Sequence, residues 1–360
     1  MDKSLLAIAA RINKKLGEGT IILGSEIEQE LVPRCPSGSL AVDIALGGGW
    51  PLNRWVEVIG YESAGKTLLA LKTIAINQAR DPEWSAVWFD AEQCWDKRWA
   101  RQLGVDDSRV LVMKDNGMES VYGSCIEFLD TRSVDCIVID SLPALVPERE
   151  DENDMGEIAV GLGALLTGQF FRKQQPASKR SMTEHQRPVL GLMVNQWRDR
   201  IGVIRGDPRT TPGGRGKNFF YSIRVEVKRD DWIEEGDLRI GQTIKMTTIK
   251  NKTAPPQRSA VVDFYFCDSE DGHFKAGEFD RVKEIVAVGK AHQLIRRGDS
   301  GRSSWYEYGD EKWRGVDSLV AALRERPELI AQLEAEVRQL LFHHEPPGVK
   351  RTVRRPRSKK

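Results

Sequence analysis

"GYESAGKT" occupies residues 60–67. Two glycines around four free positions, followed by Lys and Thr, form the pattern that cradles phosphates. To its left runs the apolar stretch "RWVEVIG" (54–60), and to its right the helical pattern "TLLALKTIAINQAR" (67–80). A strand, a tight loop and a helix are the context this pattern needs. Gly60 and Gly65 allow close backbone approach, and Tyr61, Glu62, Ser63, Ala64 and Leu68 complete the wall around the anion. Amides at the helix start, aided by the helix dipole, hold phosphate. Lys66 reaches the terminal phosphates and the Thr67 hydroxyl is suited to Mg²⁺. ATP with Mg²⁺ is therefore expected. The use of its energy stays open, because kinases, GTPases, helicases, transporters and recombinases all carry such loops.

Further apolar runs alternate with helical stretches. "SAVWFDAE" (85–92), "VDCIVIDS" (134–141), "PVLGLMVNQ" (188–196), "IRVEVKR" (223–229) and "QTIKMTTIKNK" (242–252) read as strands, and "VYGSCIEFLDTR" (121–132) as a helix. Near-continuous Val/Ile/Leu runs separated by helices indicate an α/β fold with a mostly parallel sheet covered on both faces. Ligands of such sheets sit at the carboxyl ends of the strands. Asp140 closes one run and suits the Mg²⁺-associated carboxylate of a nucleotide site. Glu92 follows another and is the candidate general base for an attacking water. Gln196 ends a third, where it can sense a γ-phosphate. Lys250 and Lys252 stand on alternate residues and point the same way.

Charged residues make up 30% and hydrophobic residues 40% of the 360, as in a soluble globular protein. No run approaches the ~18 apolar residues of a membrane helix. No signal peptide is recognisable at the N-terminus, so a cytoplasmic location is expected. Cys35, Cys94, Cys125, Cys136 and Cys267 are widely spaced and read as reduced thiols. "MDKSLLAIAARINKKLGEG" has the spacing of an amphipathic helix.

Two stretches break the α/β rhythm. Residues 147–161 are loop-like and acidic, and residues 197–218 are long, Gly-rich and basic. Long loops inside a domain are functional or disordered. From Arg198 to Lys217 there are six Lys or Arg against two Asp, which suits phosphate contacts without base reading. The glycines are expected to keep that segment mobile. "QQPASKRSMTEHQRP" (174–188) reads as a surface loop. The last thirteen residues hold seven Lys or Arg and no acid. They form a cationic arm on a mildly acidic body.

Taken together, "PSGSLAVDIALGGGWPLNRWVEVIGYESAGKT", "WFDAEQCWDKRWARQLGVD", "VDCIVIDSLPALVP", "NQWRDRIGVIRGDPRTTPGG" and "IKNK" resemble the RecA-type bacterial and phage recombinases in order and spacing. The similarity runs to about residue 342. It implies a RecA-like P-loop ATPase core, with a small N-terminal helix/strand element and a small α/β C-terminal domain. The expected boundaries are 1–34 for subunit association, 35–269 for the core, 270–345 for the C-terminal domain and 346–360 for a basic disordered tail.

The implied activity is ATP-dependent pairing and strand exchange by a helical filament on single-stranded DNA, acting on double-stranded DNA in recombination, repair and the SOS response. Asp96 and Trp99 match adenine-contacting positions, Trp99 standing where the family usually has Tyr. Lys250 and Lys252 match lysines that reach the neighbouring subunit's ATP, and Phe219 matches an interface aromatic. Positions in the two DNA-binding loops correspond to Met155 and Gly156, and to Trp197, Arg198, Arg200, Ile201, Gly202, Val203, Arg205, Arg209, Thr210, Thr211, Gly213, Gly214 and Arg215. Arg172 joins them. Tyr61 and Ala64 replace the usual Pro and Ser, and the tail is basic where the family's is often acidic. Mediator and repressor partners stay open. The rival readings are a ring helicase of the same core fold and a mediator that does not turn ATP over.

Overall fold

The computed structural model describes residues 2–17, 20–26, 32–131, 133–151, 161–183, 187–199, 206–269, 272–298 and 304–341. Two compact units result, Met1–Val32 and Pro33–Lys360. The first holds the helix Lys3–Leu16, which Asp2 caps by accepting from Ser4 N at 3.0 Å. Leu5, Leu6 and Ile8 of this helix are exposed.

The second unit is built on an eight-stranded sheet. From one edge the order is Ser259–Tyr265, Leu238–Asn251, Ile223–Glu235, Arg54–Gly60, Leu190–Gln196, Cys136–Asp140, Ala86–Asp90 and Val110–Met113. The strands from Ile223–Glu235 to Val110–Met113 run parallel, and the two before them antiparallel. Alternate residues feed two cores. Val56, Val58, Ala86, Trp88 and Val138 pack on one face, and Trp55, Val87, Phe89, Ile137 and Ile139 on the other. Both faces are covered, so period-2 alternation disappears from the sequence and the strands read as apolar runs.

Helix Lys66–Arg80 covers the first face; helices Met118–Thr131 and Leu162–Thr183 cover the second. The last of these corrects an expectation, because residues 174–183 are helical and not a surface loop. Phe170, Phe171, Gln174 and Ala177 are buried along it, and Tyr122 stacks on Phe170 at 4.4 Å. That packing carries the helix past Pro176, although the proline cannot donate to the carbonyl four residues back.

Residues beyond 272 form helices Arg281–Ala291, Val316–Arg324 and Pro327–Leu341 and a three-stranded sheet, around a core of Ile285, Leu319, Leu323, Leu333 and Val337. Leu40 of helix Leu40–Leu46 joins that core. The buried Glu284 carboxylate accepts from Ser39 Oγ and from Ala41 N, the latter at 2.6 Å, and so caps this helix.

Candidate nucleotide and DNA site

Strand Arg54–Gly60 delivers the P-loop to the carboxyl edge of the sheet. Gly60 is required by crowding, since a Cβ there would lie 2.4 Å from the Val227 carbonyl oxygen. Lys66 is buried at the start of the following helix, and its Nζ donates to the Tyr61 carbonyl at 2.6 Å. Burial lowers the Lys66 pKa, while Asp140, Glu92 and Glu62 oppose the shift. A phosphate, as a charged acceptor, competes well for that ammonium.

Thr67 Oγ1 donates to Asp140 Oδ2 at 2.8 Å. Burial pushes Asp140 up to about 6; the Thr67 hydrogen bond and Lys66 work against this, and Glu92 and Asp90 add to it. A buried carboxylate beside a hydroxyl, in excess negative charge, is a hard-oxygen donor set that fits Mg²⁺. Among the described residues no group of three or more His, Cys, Asp or Glu could hold a metal. Mg²⁺ bound mainly through phosphates and water needs no such group.

Glu92 leaves the end of strand Ala86–Asp90 on a turn. Asp90, which sequence reasoning passed over, builds that turn by accepting from Cys94 N and Trp95 N, each at 2.9 Å. Its signal was the pair of carboxylates in "WFDAE". Glu92 Oε1 accepts from Ser141 Oγ and, at 3.4 Å, from Gln196 Nε2. The candidate base and the candidate sensor therefore touch. Asp96 caps helix Lys97–Gln102 through Arg98 N and Trp99 N, and half-buried Trp99 meets Phe264 edge-on with centroids 6.1 Å apart.

Below Gln196 lies a charged cluster. Buried Glu57 accepts from Asn195 Nδ2 at 2.7 Å, Lys217 Nζ at 2.6 Å and Arg224 Nε at 2.6 Å. Lys217 Nζ also donates to Thr211 Oγ1 at 2.7 Å. This corrects the count of six loop cations, because Lys217 is 1% exposed and held by Glu57, not offered to DNA. Thr211 is buried as well, with its hydroxyl on that lysine. The glycine expectation is corrected at Gly213 and Gly214. Both have positive φ and are packed in, since a Cβ would meet Leu142 Cδ2 at 2.8 Å and Ala164 Cβ at 2.7 Å respectively.

Arg198 and Arg215 are exposed, as is Arg172 on the neighbouring helix. Arg209 is tied to Asp207 and to Glu226 and lies over the Trp197 ring at 4.7 Å. Arg198 and Thr210 pair across a two-stranded ribbon. Met155, Gly156, Arg200, Ile201, Gly202, Val203 and Arg205 lie outside the described residues, as does the cationic arm.

Short helix Lys217–Phe220 presents Phe219 78% exposed. Its carbonyls hold the two candidate trans lysines. Lys250 Nζ donates to Asn218 O and, at 2.7 Å, to Tyr221 O; Lys252 Nζ donates to Phe219 O at 2.7 Å. Burial, Lys252 and Arg224 bring Lys250 down to about 8, with Glu57 opposing.

Known proteins resemble this chain over most of its length. The family model described as RecA N-terminal domain matches residues 3–270. "Protein RecA" of Aquifex aeolicus (strain VF5) is 35% identical over 339 residues, 94% of this chain and 92% of that protein. "Protein RecA" of Frankia alni is 34% identical over 342 residues, covering 94% and 93%. "Protein RecA" of Bacillus subtilis (strain 168) is 35% identical over 331 residues, covering 91% and 89%.

Proposed function

The chain belongs to the RecA family of ATP-dependent DNA recombinases, and from that premise we propose how its own residues divide the work. The protein is a DNA-dependent ATPase of homologous recombination and repair. Lys66 and the P-loop amides hold the ATP phosphates. Thr67 and Asp140 would hold Mg²⁺, which supplies charge neutralisation on the phosphate oxygens. Glu92 takes the proton of the attacking water. Gln196 reads the γ-phosphate, and the observation that carries this is its hydrogen bond to Glu92. A phosphate that draws Gln196 away changes the setting of the base and the start of the DNA-contacting segment in one movement.

Lys250 and Lys252 turn from their own helix carbonyls to the ATP of the next subunit and act there like arginine fingers. Asp96 and Trp99 flank the adenine. Arg172, Arg198, Arg215 and the remaining loop positions, apart from buried Thr211 and the packed Gly213 and Gly214, contact DNA phosphates of single and double strands, and Phe219 enters the subunit contact. The exposed apolar residues of helix Lys3–Leu16 serve association into a helical filament. Among the described residues no helix is long and apolar enough to cross a membrane, and we place the protein in the cytoplasm.

The test is ATP hydrolysis with and without single-stranded DNA, paired with electron microscopy of the ATP–DNA complex. Stimulated turnover by open filaments is expected. Closed rings would overturn the filament reading, and DNA-independent turnover would overturn the assigned coupling.

A further inference from the structure

The Glu57 cluster joins elements that the chain keeps far apart. Glu57 belongs to the P-loop strand, Asn195 to the end of the sensor strand and Arg224 to strand Ile223–Glu235. Lys217 stands where the DNA-contacting segment re-enters the core. Asn195 reaches in both directions. Its Oδ1 accepts from Gln196 N at 2.9 Å, and its Nδ2 donates to Glu57 and, at 3.3 Å, to the Pro212 carbonyl. Lys217 fastens the other side, through Thr211 Oγ1 at 2.7 Å and Asn218 Oδ1 at 3.1 Å. The Lys217 stem also fills the space beside Gly213, where a Cβ would come within 3.0 Å of its Cδ.

We propose that Lys217 is a positioning residue for DNA-stimulated ATP hydrolysis. Through Glu57 it clamps Asn195 and the returning end of the DNA-contacting segment into one unit, so that a displacement of Gln196 is passed to that segment. This rests on the reading of Gln196 as the phosphate sensor. Three features favour a clamp over a simple stability element. The ammonium is fully buried, so its position is fixed by three specific acceptors and not by solvent. Two of those acceptors, Thr211 and Asn218, bracket the lysine within the same segment. The carboxylate it shares is also held by the residue before Gln196. Buried polar networks of this kind select one arrangement, and a partly broken network loses that selection.

Lys217→Met keeps the length of the stem and removes the ammonium. Glu57 retains Arg224 and Asn195, so no carboxylate is left unpartnered. Thr211→Val removes one acceptor at constant shape and serves if the methionine variant does not fold. The measurements are ATPase with and without single-stranded DNA, DNA affinity with and without a non-hydrolysable ATP analogue, and hydrogen exchange of residues 195–197 and 209–216.

In Lys217→Met the DNA-free turnover should stay near wild type. The stimulation factor should fall about tenfold, within the ~5–150-fold range of ordinary coupling between sites. The analogue should still alter exchange at 195–197 but no longer at 209–216. Thr211→Val should show the same pattern to a smaller extent. Equal loss of both turnovers with coupled exchange retained would make Lys217 a stability element only and overturn the proposal. Unchanged stimulation in either folded variant would also overturn it. A wild-type protein without analogue-dependent exchange at 195–197 would instead remove the sensor reading beneath it.

Discussion

Lys250 offers a direct test of completion in trans, because its charge is poised. Burial, Lys252 and Arg224 lower its pKa from 10.5 to about 8. At ~1.4 kcal/mol per unit this shift would correspond to about 3 kcal/mol. The side chain is half-buried and still reaches solvent, so screening reduces the figure to roughly 1–2 kcal/mol. When the neighbouring subunit's phosphates approach, they favour the charged form and raise the pKa again. Above pH ~8 the assembled state then holds a proton that the separate subunit has lost. Linkage requires assembly to weaken as pH rises through that window, by at most tenfold per pH unit for each interface.

The assay is the protein concentration giving half-maximal DNA-stimulated ATPase, at fixed ionic strength and saturating ATP, between pH 6.5 and 9.5. Between pH 7 and 9 that concentration should rise about two- to tenfold, the smaller figure holding if screening leaves the pKa nearer 9. Lys252→Met removes a repelling charge and should move the midpoint to higher pH. Lys250→Arg carries a permanent charge and should flatten the profile. Titration of ATP itself is common to all three proteins. A Lys250→Arg profile that overlays wild type would show that another group carries the pH dependence and that Lys250 does not face a phosphate in the assembly.

Glu92→Gln should keep ATP and DNA binding and slow turnover ~10²–10⁴-fold; steady-state rates within twofold of wild type would exclude Glu92 as the base. Arg198→Ala and Arg215→Ala should each flatten the log–log salt dependence of single-strand binding by about 0.7. Arg209→Ala should change that slope less, because Asp207 and Glu226 already hold its guanidinium; an equal change would show that DNA displaces both carboxylates. Glu284 is raised from 4.5 to about 7 by burial, aided by Asp43 and Glu334 and opposed by Ser39 and Ala41. Its contribution is full below pH ~4.5 and is lost as pH rises through 7. Glu284→Gln should therefore match wild type at pH 4.5 and be more stable at pH 8 by up to ~3 kcal/mol in thermal or urea unfolding. A less stable variant at pH 8 would mean that the charged cap on helix Leu40–Leu46 outweighs desolvation.

The parts legible in the sequence were those fixed by local chemistry. Strand, glycine loop and helix around residues 54–80 had to form a phosphate cradle, and the carboxylates and amide that close the neighbouring strands meet beside it as Asp140, Glu92 and Gln196. Partners set by tertiary contact were hidden. Lys217 sits in a basic, Gly-rich run and reads as one of six cations for DNA phosphates, yet its environment is decided by Glu57, 160 residues away. A usable sign was present on the other side. Glu57 in "RWVEVIG" and Asn195 in "LMVNQ" are polar residues within strands whose neighbours are buried, and such groups need partners. The expectation of a surface loop at 174–188 failed over 174–183, where buried Gln174 and Ala177 extend the helical face begun by Phe170 and Phe171.

The charge balance of this region links assembly to nucleotide. Lys217, Arg224, Lys250 and Lys252 converge within a few ångströms of helix Lys217–Phe220, its carbonyls and Glu57. One carboxylate cannot neutralise four cations; burial does most to depress the Lys250 pKa, and repulsion from Lys252 and Arg224 adds to it. Replacing the buried pair by apolar side chains would often cost little stability, or add some. A core selected for stability alone therefore gives no reason to gather these charges beside an exposed Phe219. An incoming anion does give one. The phosphates of a neighbouring subunit would relieve the repulsion between Lys250 and Lys252 and draw both from the carbonyls they now hold. The same movement would release the end of the helix that carries Phe219. On this argument subunit docking, trans-lysine engagement and repositioning of the DNA-contacting segment are one electrostatic event, and nucleotide-free subunits should pack weakly because the surplus charge then has no partner.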